Sequence, residues 1–262
     1  MTLAAFDFTI LWPALVAGLL VTATHVPLGM QVLARGIVFI DLAIAQIAGC
    51  GVLFANRLGL EAEGVAVQVA ALVAALAGAV LLTWTERIWP EVQEAVIGVV
   101  FVLAATGAIL MLAGDVRGSE HLRDLLVGQI LWADPARLAW TGAVYALVLA
   151  LWFGMGERLG RVGFYALFAV VVTVSVQLVG LYLVFATLIV PPLATRHMVR
   201  GRLAAAWGLG AAGYAAGLVV STALDLPSGP VIVWVLCGLG LVLYAFTRSS
   251  PVTNGNPPGP AS

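Results

Sequence analysis

The sequence predicts an all-α fold, a polytopic transmembrane helical bundle of about eight spans. Three observations carry that prediction. Hydrophobic residues make up 62% of the 262-residue chain and charged residues only 10%, where a soluble domain carries about 25% charged. Mean hydropathy is +1.08. The apolar residues also fall into runs near the ~20 residues that a helix needs to cross a hydrocarbon core.

Taken in order, those runs place spans near residues 8–26, 37–55, 64–84, 95–113, 138–153, 163–190, 203–224 and 230–246. The start, MTLAAFDFTI, lacks a basic n-region, so the first run reads as a retained span and not as a signal peptide. Trp84, Trp89, Trp132 and Trp140 lie near span ends, where the amphipathic indole is favoured. Ala45/Gly49 and Gly213/Gly217, with Gly210, are small-xxx-small pairs that let helices approach closely. Within 114–137, Leu122, Leu125, Leu126, Ile130 and Leu131 suggest a short amphipathic helix at the interface. Asp134-Pro135 reads as the N-cap and first residue of the following span. Pro191-Pro192 is expected to end the sixth span, because neither residue donates an N–H. Broken helices of that kind often mark a pathway or gate in transporters, with a simple loop start as the alternative. Residues 1–247 thus form one transmembrane domain. Residues 248–262, rich in Pro, Gly, Asn and Ser, read as a disordered tail.

Eight spans put both termini on one side. Arg57, Arg117, Arg123, Arg137, Arg196, Arg200, Arg202 and Arg248 would share it, with Arg35, Arg87, Arg158 and Arg161 opposite. The excess of Arg then favours cytoplasmic termini.

Several functions are excluded or disfavoured. A net charge of -1 gives no basic footprint for nucleic acid. Cys50 and Cys237 both lie in apolar runs and build neither a disulfide framework nor a zinc knuckle. There is no P-loop, no H-E-x-x-H and no G-x-S-x-G. A transporter or a membrane scaffold remains.

The residue that a span should not contain is Asp41, since an ionisable group inside a membrane is costly and by default functional. With a turn near Ala34–Arg35 and a rise of about 1.5 Å per residue, His25 and Asp41 would lie roughly 14 and 10 Å from it. They could then share a depth across a helical hairpin. Carboxylate and imidazole suit a divalent transition metal. The bland alternative pairs Asp41 with Arg35 or Arg87 and leaves His25 on a backbone carbonyl beside Pro27. Gln46, five residues after Asp41, is rotated off its face and is the weaker candidate for the path. His121 and His197 read as solvated loop histidines.

Four segments, in order, resemble one family. They are VLARGIVFIDLAIAQIAGCG (32–51), DLLVGQIL (124–131), QLVGLYLVFATLIVPPLATR (177–196) and LDLPSGPVIV (224–233). Together they are similar to the membrane permease subunit of zinc/manganese-type ATP-binding-cassette importers, a type II importer fold. The resemblance implies a homodimer in the bacterial inner membrane. It implies a separate ATPase subunit that binds ATP, and an extracytoplasmic metal-binding protein that delivers zinc or manganese. No cofactor is bound by the chain itself, and the chain is no enzyme. The family's second helix carries Asp and, four residues later, His. Asp41 matches the first, but Ala45 stands where the His would be, so His25 could substitute or the cargo differs. The family's longer cytoplasmic coupling segment is shortened here to 155–164, and Glu157, Arg158, Leu159 and Gly160 are the candidate ATPase contacts. That resemblance places 155–164 in the cytoplasm and the termini outside, against the Arg count. The alternatives are a siderophore- or cobalamin-class permease, a proton-coupled secondary transporter that uses Asp41, and a scaffold in which Asp41 is a structural ion pair.

Overall fold

The computed structural model describes residues 8–60, 64–112, 130–132 and 134–248. Among them the regular structure is helical throughout. The helices are α1 (Phe8–Arg35), α2 (Ile40–Arg57), α3 (Val65–Ile88), α4 (Gln93–Leu112), α5 (Pro135–Val179), α6 (Leu181–Ala194), α7 (Arg202–Leu224) and α8 (Ser228–Arg248), with short 3-10 turns at Pro90–Val92 and Ile130–Trp132. The side chain of Asp134 accepts the Ala136 N–H and caps α5, with Pro135 at its first position. The amphipathic stretch of 122–129, His121 and the tail beyond Arg248 lie outside the described residues, and α8 itself runs to Arg248.

α5 is two arms, Pro135–Met155 and Arg158–Val179, joined where Gly160 leaves helical geometry at φ 58°, ψ -160°. Gly180, at φ 84° and ψ 159°, then separates α5 from α6. Both conformations lie in a region essentially restricted to glycine. They let the chain reverse twice with almost no loop.

This corrects the expected sixth span. The apolar run of 163–190 breaks at Gly180, and Pro191 and Pro192 sit inside α6 instead of ending it. The helix tolerates them because freed carbonyls find room or partners. Pro192 cannot bond the Leu188 carbonyl, and that oxygen instead lies against Gly29 of α1, where a Cβ would overlap it. Pro27 does the same in α1, carrying the first helix on to Arg35 instead of ending it near Val26. The Ala23 carbonyl, without its Pro27 partner, accepts from the Trp207 indole N–H of α7 at 3.3 Å.

Contacts fix the direction of each crossing. α2 and α4 run parallel, with Phe39 bonded to Glu94, Cys50 to the Ala104 carbonyl and Arg57 to the Met111 carbonyl. α1 and α7 are antiparallel, with Gly18 against Tyr214, Thr22 against Gly210 and Ala23 against Trp207. α7 and α8 are antiparallel through Gly217–Ile232, Gly213–Leu236 and Leu209–Gly240. α8 therefore runs parallel to α1. Among the described residues eight segments are long and apolar enough to cross a membrane, the number expected, and the shorter α6 runs beside them.

The parallel course of α1 and α8 overturns the expected shared side of their outer ends. Arg35, Arg87, Arg158, Arg161, Arg196, Arg200, Arg202 and Arg248 all fall at one face, while Arg57 and Arg137 fall at the other. The positive-inside rule then favours the face that carries residues 155–164 as cytoplasmic. The Arg count and the resemblance then agree on residues 155–164, while the resemblance's placement of both termini outside does not hold for the end of α8, which shares that face.

The core is built mainly on α1, the second arm of α5 and α6, with Leu28, Phe164, Phe168, Val172, Leu183 and Leu188 fully buried. α2 packs on α3, α4 and α5, whereas α1 packs on α5, α6 and α7.

Candidate functional site

Asp41 lies in the first turn of α2, fully buried. The turn before it, Gly36–Phe39, is compact because Gly36 takes φ 70° and the Ile37 N–H bonds the Val32 carbonyl. Neither carboxylate oxygen has a hydrogen-bond partner. A buried unpaired carboxylate is expensive, and what moderates it here is position. The start of a helix presents unpaired N–H groups and a partial positive charge.

The expected ion pairs are not formed. Arg35 lies over the Phe164 ring at 4.3 Å, and one of its terminal nitrogens is buried without a partner. At the end of α3 it is Glu86 that meets an arginine, with Arg161 at 3.7 Å.

His25 is also fully buried, on α1. Its Nδ1 contacts the Val21 carbonyl at 2.9 Å and the Thr24 hydroxyl at 3.2 Å, and its Nε2 has no partner. The carbonyl is therefore that of Val21 in its own helix. α1 and α2 share no extended packing face, so the fold does not set His25 and Asp41 against one another across a hairpin. The reason is that α1 leans on α6 and α7 through Gly18 and Gly29, while α2 turns to α3 and α4. Gln46 is half-buried in α2.

The structure adds Glu94. Its Oε1 accepts the Phe39 N–H at 3.3 Å, at the very start of α2, and its Oε2 is buried without a partner. Two carboxylates thus attend one helix start. A glutamate in the first turn of an apolar run, in PEVQEAVIG, was the available signal. Beside it Gln93 bonds Thr85 and the Leu82 carbonyl, tying α4 to α3.

Among the described residues no three His, Cys, Asp or Glu side chains gather as a metal site. His197 packs on Tyr244 and receives the Arg196 side chain at 3.1 Å, away from α2. Of the coupling candidates, Arg158 and Gly160 are exposed, Leu159 rests against Gly163, and Glu157 is helical in its backbone.

A bundle with eight apolar segments long enough to cross a membrane among the described residues, hinged at glycines, with an unsatisfied carboxylate held at a buried helix start, is a membrane transport subunit in class. The chain belongs to the ABC 3 transport family, whose model matches residues 7–160 and 153–247. It is 26% identical over 271 residues to an uncharacterized membrane protein of Synechocystis sp., covering 93% of each chain. Its fold is similar to PsaBC from Streptococcus pneumoniae, solved in complex with Fab, with a TM-score of 0.74, 21% identity and coverage of 91% of this chain and 92% of that one. It is also similar to a metal-chelate type ABC transporter in an inward-facing conformation, with a TM-score of 0.64, 16% identity and coverage of 90% and 85%.

Proposed function

We propose that this permease carries a divalent transition metal, zinc or manganese, into a bacterial cell across the inner membrane. Asp41 is the residue that meets the cation in transit. The observation that carries the reading is the pair of unpartnered oxygens on a fully buried carboxylate. A chain that supplies no counter-charge to such a group leaves that place to its cargo.

Glu94, at the same helix start, sharpens the choice of cargo. Two carboxylates repel, and a divalent cation relieves both at once where a proton relieves only one. The absence of a three-ligand cluster among the described residues suits a carrier, since a closed structural site would hold the ion too tightly to release it. Ligands beyond Asp41 come from a second copy of the chain in a homodimer, from water or from backbone, with His25 and Gln46 as weaker candidates. The energy comes from ATP in a partner ATPase that docks on the face carrying residues 157–160, and the metal arrives from an extracytoplasmic binding protein.

The test is ATPase activity of the permease reconstituted with its genomic-neighbour ATPase and binding protein, with zinc, manganese and iron(II) compared. Stimulation by one metal that disappears in Asp41→Ala is the expected result. Stimulation indifferent to metal and to Asp41 contradicts the reading, and brings forward the proton-coupled alternative.

A further inference from the structure

Two cavities lie side by side on one flank of the bundle, sharing Phe153 as lining. The first, of about 560 Å³, is an apolar groove between α1, the first arm of α5 and α7, lined by Leu19, Ala23, Leu149, Ala150, Phe153 and Trp207 among others. The second, of about 700 Å³, lies further along the same α1 and α5, and is lined by Gln31, Arg35, Trp152, Phe153, Arg158 and Phe164 among others. Along α1 the lining residues fall on one helical row, Leu19 and Ala23 in the first cavity and Gln31 and Arg35 in the second, with buried Pro27 between them, and pass from apolar to amide to guanidinium. The polarity changes where the helices reach the Arg-rich face.

We infer that this composite groove binds one anionic phospholipid of the cytoplasmic leaflet, its acyl chain in the apolar groove and its phosphate between Arg35 and Arg158. Three features select a lipid over other anions. The polar end holds two arginines, Arg35 and Arg158, and a phosphate oxygen is the acceptor that a guanidinium fork fits best. The apolar groove lies next to it, with Phe153 lining both, and a soluble anion would leave that groove empty. The flank opens sideways, with Leu19, Phe153 and Met155 exposed, at the face where anionic headgroups concentrate. The polar end is bounded by the Gly160 hinge and by Arg158. A headgroup seated there would brace the two arms of α5 beside the segment that faces the ATPase. The inference needs no assumption about the cargo.

The test uses the full-length permease in detergent, titrated with phosphatidylglycerol or phosphatidylcholine and read by native mass spectrometry and thermal unfolding. Phosphatidylglycerol should be retained and should raise the unfolding midpoint, while phosphatidylcholine does neither. The double variant Arg35→Gln/Arg158→Gln should bind it roughly tenfold more weakly, as loss of a charge-assisted contact produces. Ala150→Trp, which fills the apolar end, should weaken binding with both arginines intact. If Arg35→Gln fails to fold because Arg35 covers Phe164, Arg158→Gln alone, at an exposed position, reads the same cavity. Equal retention of both lipids overturns the inference, as does protection by inorganic phosphate equal to that by phosphatidylglycerol. Binding that survives Ala150→Trp overturns the acyl groove, and with it the lipid.

Discussion

Asp41 and His25 stand on consecutive helices, both fully buried, both titratable, and the fold treats them oppositely. The imidazole of His25 turns back along α1 to the Val21 carbonyl and the Thr24 hydroxyl, groups that its own helix supplies wherever that helix goes. Asp41 receives nothing of the kind from a side chain or a carbonyl, and only the backbone N–H groups and field of its own helix start favour it. One polar group has its Nδ1 met by its own helix and only its Nε2 left open. The other is left open, and Glu94 is placed beside it with an open oxygen of its own. Polar groups that a chain could have satisfied and did not are where function and stability part company.

That contrast can be broken in four ways, from the largest expected effect to the smallest. Asp41→Asn removes the charge and keeps the shape, and metal uptake in proteoliposomes should fall at least about 100-fold, as for loss of a metal contact. Its unfolding midpoint should stay the same or rise, because the variant removes a buried unpaired charge. Gly29→Ala, on the helix of His25, should do the reverse. The Leu188 carbonyl cannot yield to a Cβ, so stability should drop by about 1–3 kcal/mol, read by denaturant unfolding. His25→Ala should cost about 1 kcal/mol through its lost helix bond and lower uptake less than tenfold. A double-mutant cycle of His25 and Asp41 should then be additive within about 0.5 kcal/mol, since their helices share no packing face. Gln46→Ala, half-buried and off the Asp41 face, should move stability by less than about 0.5 kcal/mol and uptake least of all.

Much of the molecule was legible before its fold. Spans follow from run length, the cap at Asp134 from its side-chain chemistry, and the close contacts at Gly210, Gly213 and Gly217 from their spacing. Asp41 stood out because charge inside an apolar run has no bland composition-level explanation. The break in the sixth run was harder. From Gly163 to Ala194 the chain is apolar almost without interruption, and the reversal at Gly180 needs only a single residue with positive φ, which leaves no polar loop behind. A run half again as long as a span was the signal, and the prolines drew attention to the wrong point. The separation of His25 from Asp41 was not legible at all. Depth along two helices can be read from rise per residue, but the direction in which each helix leans is set by which glycines admit which neighbour.

The measurement that tests the central claim most directly is paired uptake and thermal unfolding of the wild type, Asp41→Asn and His25→Ala, in the same proteoliposomes with the cognate ATPase. Uptake lost in Asp41→Asn with stability kept or raised, beside uptake largely kept in His25→Ala with stability lowered, is the predicted outcome. Asp41→Asn that unfolds early and transports normally when folded would make Asp41 a structural residue and contradict the claim.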